Sequence, residues 1–172
     1  MHALRATVEF ERPEMTAEEA IYIEAPPDRV YAALADVTRM GEFSPECYRC
    51  VWIDSARSEV GSRFRGYNRS GLMRWSRLVE ILEADPGRSF AFQTVPDRMH
   101  QGATLWRFQL EPEGEGTRVV QSSTVLAQPN AMTRAIMRLV GGGADPSPGM
   151  RTTLARLKAS LESETPGRRR DG

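Results

Sequence analysis

Between residues 47 and 126 the chain alternates apolar and polar side chains with a period of two, and turn-forming residues interrupt the pattern at short intervals. A period of two belongs to a pleated strand with one buried face; a helical stripe would repeat every 3.6 residues. Six strands are predicted, at about 47–54, 62–69, 73–83, 89–95, 103–111 and 117–126. The links include Arg69-Ser70-Gly71, Asp85-Pro86-Gly87 and Glu113-Gly114-Glu115-Gly116, where glycine supplies positive φ and proline presets a turn. Such links are too short for the crossovers that parallel strands require, so the segment reads as an antiparallel meander.

The flanks complete the architecture. A short strand is expected at 19–24, with Ile21 and Ile23 on one side, stopped by Ala25-Pro26-Pro27-Asp28. Proline suits the first turn of a helix, where its missing N–H removes no internal bond, and Val30, Leu34 and Val37 follow at helical spacing, so 28–36 is a short helix. Gly41, Ser44 and Pro45 make 38–46 a broken second helix or a loop. After the meander, Met132, Ile136, Leu139 and Val140 form a helical stripe capped by Asn130 and closed by Gly141, followed by a flexible break over 142–149. Ser147-Pro148 reads as the N-cap and first turn of a longer helix, with Met150, Leu154, Leu157 and Leu161 on one face. Residues 148–162 would span roughly 22 Å at 1.5 Å per residue, enough to cover the apolar face of a small sheet. The expectation is an α+β domain: a curved antiparallel sheet of about seven strands, a long C-terminal helix over it, and an internal hydrophobic cavity between them.

With 172 residues, one domain is expected at 18–164, with an N-terminal extension at 1–17 and a disordered basic tail at 165–172 that carries Arg168, Arg169 and Arg170. The 23 basic and 23 acidic residues cancel, so no global charge favours nucleic acid. No stretch approaches the roughly 20 apolar residues of a spanning helix, and residues 1–15 hold no continuous apolar core of a secretion signal, so a cytoplasmic protein is expected.

Cys47 and Cys50 are the two cysteines. Their C-x-x-C spacing suits a redox pair or half a zinc site. Redox pairs of this spacing usually open a helix, whereas these residues sit in a predicted strand, where positions three apart face opposite sides. His2 and His100 make no second ligand pair. Neither a metal nor a cofactor is therefore expected.

Alternation also assigns faces. Trp75, Val79 and Ile81 share a parity, as do Phe90 with Phe92, Trp106 with Phe108 and Leu110, and Val119 with Val125. Phe64, Gly66 and Asn68 share the inward side of their strand, while Arg63, Arg65, Tyr67 and Arg69 share the other. Tyr48, Cys50 and Trp52 are taken as inward because the opposite parity carries Arg49. Polar residues share these inward parities: Asn68, Arg77, Thr94, Thr104, Gln121 and Ser123. Buried polar groups need partners, so this line implies a wet pocket, a polar ligand or partly exposed strand ends. Arg77, between Trp75 and Val79, needs a carboxylate, water or an anionic ligand, unless a register break turns it to solvent. Glu46 could supply the carboxylate, or be a loop charge.

The segments Pro26-Pro27-Asp28-Arg29-Val30-Tyr31, Phe43-Ser44-Pro45-Glu46, Gly61-Ser62-Arg63-Phe64, Gly66-Tyr67-Asn68-Arg69 and Trp75 resemble the polyketide cyclase/dehydrase branch of the SRPBCC (START and Bet v1-like) superfamily. The resemblance covers about 18–162 and implies a helix-grip fold, with a curved sheet gripping the C-terminal helix around a cavity. It also implies that Arg77 stands near the place of a cavity arginine that positions a poly-β-keto substrate.

Two classes of function follow. One is a metal-independent cyclase or dehydrase acting on a polyketide-like, oxygenated hydrophobic molecule, with Arg77 orienting a carbonyl and protons moving through Glu46, Tyr48 or water. The other is a non-catalytic carrier of a lipid or similar molecule. Ser123 and Cys50 have no evident histidine base, which disfavours a covalent nucleophile. The catalytic candidates are Arg77 and Glu46. The ligand-binding candidates are Tyr48, Trp52, Phe64, Asn68, Trp75, Phe92, Thr104, Trp106, Gln121, Ser123, Met150 and Leu154. The expected partner is a hydrophobic small molecule, for a monomer or a homodimer.

Overall fold

A computed structural model describes residues 14–53, 57–128, 131–139 and 145–164. Seven strands form one antiparallel sheet: β1 (Glu14–Ile23), β2 (Cys47–Trp52), β3 (Arg63–Ser70), β4 (Met73–Asp85), β5 (Ser89–Thr94), β6 (Ala103–Glu113) and β7 (Gly116–Ala127). Their order across the curved, open sheet is β1-β7-β6-β5-β4-β3-β2, so the meander runs unbroken from β2 to β7 and β1 closes on its last strand. The predicted turns hold: Gly87 (φ 71°) and Gly114 (φ 58°) adopt the left-handed conformation that reverses the chain at minimal steric cost.

Helix α1 (Pro27–Ala35) starts on its proline and buries Val30, Ala33 and Leu34. A 3-10 turn (Val37–Arg39) and the single turn α2 (Met40–Phe43) fill the stretch expected to be broken. Helices α3 (Ala131–Leu139) and α4 (Ser147–Ser163) follow the sheet. The 17 residues of α4 span about 25 Å. It runs along β1 in the same direction, with Arg151 paired to Glu19 near one end and Glu162 accepting the Glu24 N–H near the other. Met150, Thr153, Leu154, Leu157 and Leu161 are its buried side chains. The three leucines join one core with Val30, Leu34 and Phe43 from the short helices and Phe64, Ile81, Phe90, Phe108 and Val119 from the sheet. Each such side chain contributes roughly 1.5–3 kcal/mol through burial.

Three expectations need correction. Strand β1 begins at Glu14 rather than Glu19 and pairs with β7 from Glu14↔Val125 onward, so part of the expected N-terminal extension is sheet. Its first residues carry little apolar alternation, and the ladder of the long β7 holds them through the backbone. Ser147 is not a capping acceptor: its N–H and hydroxyl both donate to Asp145 Oδ1, and Pro146 is the N-cap. The third correction, in β2, bears on the site and is given below. Asn130, Gly141 and the 165–172 tail lie outside the described residues.

Candidate functional site

Antiparallel partners share a face, so the register shows which side chains stand together. Phe64↔Val79, Gly66↔Arg77 and Asn68↔Trp75 place Arg77 and Trp75 on the same side as the buried Phe64. Phe92↔Trp106, Trp106↔Ser123 and Phe108↔Gln121 carry that side across β5, β6 and β7. The inward surface then divides. One end is dry, with Ile81, Phe90, Phe108, Leu110 and Val119 buried. The other end is polar and aromatic, with Asn68, Trp75, Arg77, Thr94, Thr104 and Trp106 half-buried. Gln121 and Ser123 lie between them, 5% and 2% exposed, so these two polar residues belong to the interior and not to a strand end.

Arg77 is the unusual member. Its Nη2 donates to the Gly102 carbonyl at 2.7 Å, in the loop between β5 and β6, while its Nε is buried with no partner. Gln121 Oε1 is likewise buried and without a partner. Burial lowers the Arg77 pKa, and the charge of Asp97 opposes that shift. A buried donor or acceptor left unpaired costs about 1–3 kcal/mol, so each of these atoms calls for a partner from outside the protein, a water or a ligand group.

Other predicted residues divide between this face and its surroundings. Trp52 and Phe92 are half-buried and each meets Phe64 edge-on, with centroids 5.9 and 5.8 Å apart. Thr94 Oγ1 accepts the Thr104 N–H at 3.0 Å, which ties the ends of β5 and β6. Met150 and Leu154 are buried on α4. Glu46 is not brought to Arg77. It is an exposed residue at the entry to β2; its backbone N–H donates to Ser44 Oγ and its carbonyl accepts the Arg69 N–H.

The remaining correction concerns β2. Its pairing with β3 shifts between Cys47↔Asn68 and Arg49↔Tyr67, so Tyr48 is an extra, bulged residue. The bulge turns Tyr48 outward, 40% exposed, where it packs on Tyr67 and lies under the Arg69 guanidinium. Tyr48 therefore leaves the inward set. Cys47 enters it, beside Cys50 and Trp52, and the two sulfurs lie 3.4 Å apart. Opposite faces, as a regular strand would require, are excluded.

A groove of about 640 Å³ is walled by Arg65, Arg74, Trp75, Ser76 and the 97–100 loop, and no residue of α4 lines it. Of the sequence-predicted residues, only Trp75 reaches it. Among the described residues, no three His, Cys, Asp or Glu side chains gather as a metal site, and no helix is long and apolar enough to cross a membrane.

Comparison with known proteins bears on the fold and the family. No curated protein matches the sequence. Among solved structures, the Polyketide_cyc-like protein Cgl2372 from Corynebacterium glutamicum is 26% identical, with a TM-score of 0.59 over 94% of this chain and 100% of that one. Major latex-like protein 151 from Panax ginseng superposes with a TM-score of 0.65 at 14% identity, over 90% of this chain and 99% of that one. The di-domain ARO/CYC StfQ from the steffimycin biosynthetic pathway gives 0.65 at 16% identity, over 86% of this chain and 50% of that one. The last two likenesses concern the fold alone. The family described as "Polyketide cyclase / dehydrase and lipid transport" matches residues 14–162, the whole span from the start of β1 almost to the end of α4. With that match over most of its length, and with the helix-grip architecture, the chain belongs to this SRPBCC-type family.

Proposed function

We propose that this protein binds a hydrophobic, oxygenated small molecule in a cavity between the polar end of the inward sheet face and α4. The observation that carries the reading is the pair of buried atoms without a protein partner, Arg77 Nε and Gln121 Oε1, on the same sheet face as Trp52, Trp106 and Phe92. One is a donor and the other an acceptor. A carbonyl of the ligand would satisfy the first and a hydroxyl the second, while the aromatic rings supply apolar contact area. The family description, which joins cyclases with lipid transport, supports the same ligand class.

A second reading is cyclisation or dehydration of the bound molecule. It is favoured by the guanidinium itself, which would stabilise an enolate developing at a carbonyl oxygen. The exposed Glu46 does not supply its base, so proton transfer would run through bound water or through ligand hydroxyls.

Native mass spectrometry of the freshly expressed protein tests both. A co-purifying oxygenated apolar molecule that is converted on incubation supports the cyclase reading; one that stays unchanged supports a carrier. Failure to retain any such molecule, from the host or from a panel of polyketide-like and lipid-like compounds, refutes both. In titrations, Arg77→Ala should weaken binding far more than Arg65→Ala, because Arg65 lies on the outer face opposite Leu78. Equal effects would overturn the placement of the ligand.

A further inference from the structure

The function proposed above makes no use of the two thiols that the β2 bulge brings together. Cys50 is 4% exposed and Cys47 only partly buried, so one sulfur is reachable from solvent and the other stands behind it. Gly66 faces the pair from β3. A Cβ there would already lie 3.7 Å from Cys47 Sγ and 3.8 Å from Cys50 Sγ, so any longer side chain would compete with the sulfurs for space. The arrangement thus rests on three positions: a bulge that gives two cysteines one direction, and a glycine that leaves them room.

We propose that Cys47 and Cys50 form a reversible dithiol–disulfide pair, oxidised by low-molecular-weight disulfides. The Cys47 thiolate attacks one sulfur of the small disulfide RSSR, forming a protein–SR mixed disulfide and displacing RS⁻. The Cys50 sulfur then attacks Cys47 Sγ, closing the protein S–S bond and displacing the second RS⁻. The two thiol protons of the protein end on two molecules of RSH, so two electrons pass from the protein to RSSR. Closure requires the sulfurs to move from 3.4 Å to about 2.05 Å apart, a change within reach of side-chain rotation.

The electrostatics give the steps their order. The hydrogen bond shared by the two sulfurs holds the Cys47 pKa below its usual value, and with its greater exposure this makes Cys47 the first nucleophile. The same hydrogen bond, with burial, raises the pKa of Cys50. Once Cys47 is capped in the mixed disulfide its negative charge is gone, and with it that part of the penalty on the Cys50 thiolate. Among the described residues no His, Asp or Glu side chain gathers with the two sulfurs, so the pair is read by its thiol chemistry alone. Gly66 is the β3 partner of both Cys50 and Arg77, which puts the dithiol two strand spacings, about 10 Å, from the Arg77 backbone. Oxidation would therefore change the wall of the inward face without needing any ligand to be present.

The test uses the full chain, incubated with oxidised glutathione, quenched with an alkylating maleimide and weighed by mass spectrometry. Because these are the only two cysteines, the product is unambiguous. The expected wild-type product has lost two hydrogens, takes up no maleimide, carries no glutathione and returns to the dithiol with a reducing agent. Cys50→Ser should stop at one glutathione on Cys47. Cys47→Ser should react roughly tenfold or more slowly, because the remaining Cys50 thiol is buried and shielded from the small disulfide. A wild-type protein that stays reduced, or that accumulates one glutathione without closing, overturns the proposal, and this readout needs no variant to fold. It is also independent of the ligand reading, since retention of an apolar molecule is measured separately.

Discussion

Replacing Arg77 with methionine keeps an extended apolar stem on the inward face and removes the guanidinium, which should separate stability from binding. Two changes oppose each other in the ligand-free protein. The charged hydrogen bond to the Gly102 carbonyl is lost, worth about 1.5–3 kcal/mol in general and near the lower limit here because Gly102 is only half-buried. The unpartnered Nε is removed as well, which returns about 1–3 kcal/mol. The net change in unfolding free energy should fall within about 1.5 kcal/mol of zero. For a chain of this size that is a Tm shift of no more than roughly 6 °C. Ligand affinity should instead fall roughly ten- to hundredfold, the loss of one charge-assisted hydrogen bond. Urea denaturation of the ligand-free protein supplies the first quantity, and titration with the molecule identified by native mass spectrometry supplies the second. A destabilisation of about 3 kcal/mol or more with unchanged affinity would refute the reasoning, since that is the signature of a guanidinium held by a structural partner.

Two further outcomes test the scaffold. Gly41→Ala should destabilise the fold by roughly 1–3 kcal/mol in urea melts, because the added Cβ would lie 2.5 Å from the backbone oxygen of Tyr48, at the bulge, where backbone cannot yield as a side chain can; an unchanged midpoint would show that Gly41 does not lie against the backbone at the bulge. The Glu162 carboxyl is held below its usual range by the Glu24 N–H and by Lys158. A depressed carboxyl contributes stability above its unfolded value, near 4.5, and loses it as the pH falls through the lower native value. Glu162→Gln should accordingly lower stability at neutral pH and flatten its decline below about pH 4.5; parallel pH profiles for the two proteins would contradict the assignment.

How much of this could be read from the sequence depends on what kind of information each feature needs. The face of α4 was legible because Met150, Leu154, Leu157 and Leu161 need only the helical repeat to align, and all four are buried. The inward row from Trp75 to Val125 was legible because alternation over regular strands preserves a face, and Arg77 stands on that row as expected. Tyr48 and Cys47 exchanged faces because a bulge depends on how two strands meet. Nothing within Cys47-Tyr48-Arg49-Cys50 states that the register against β3 slips by one residue there. The clue present in the sequence was the pair of cysteines itself, which a regular strand would have separated. For Glu46 the sequence left two readings open, a partner for Arg77 or a loop charge, and its exposure agrees with the second. Its neighbours place it at the mouth of β2, where the local turn at Ser44 and the Arg69 N–H from the facing strand hold its backbone, and its side chain stays exposed.

Local repeats along the chain thus determined the strands, their order in the meander, the short helices and the apolar stripe of the last helix, since each depends on the spacing of neighbours within one segment. Tertiary structure alone decided the length of β1, the partner of Arg77 at Gly102, the burial of Gln121 and the meeting of the two sulfurs. Each of these is a property of two segments brought together, and the energy that selects it comes from pairing and packing between residues far apart in the chain.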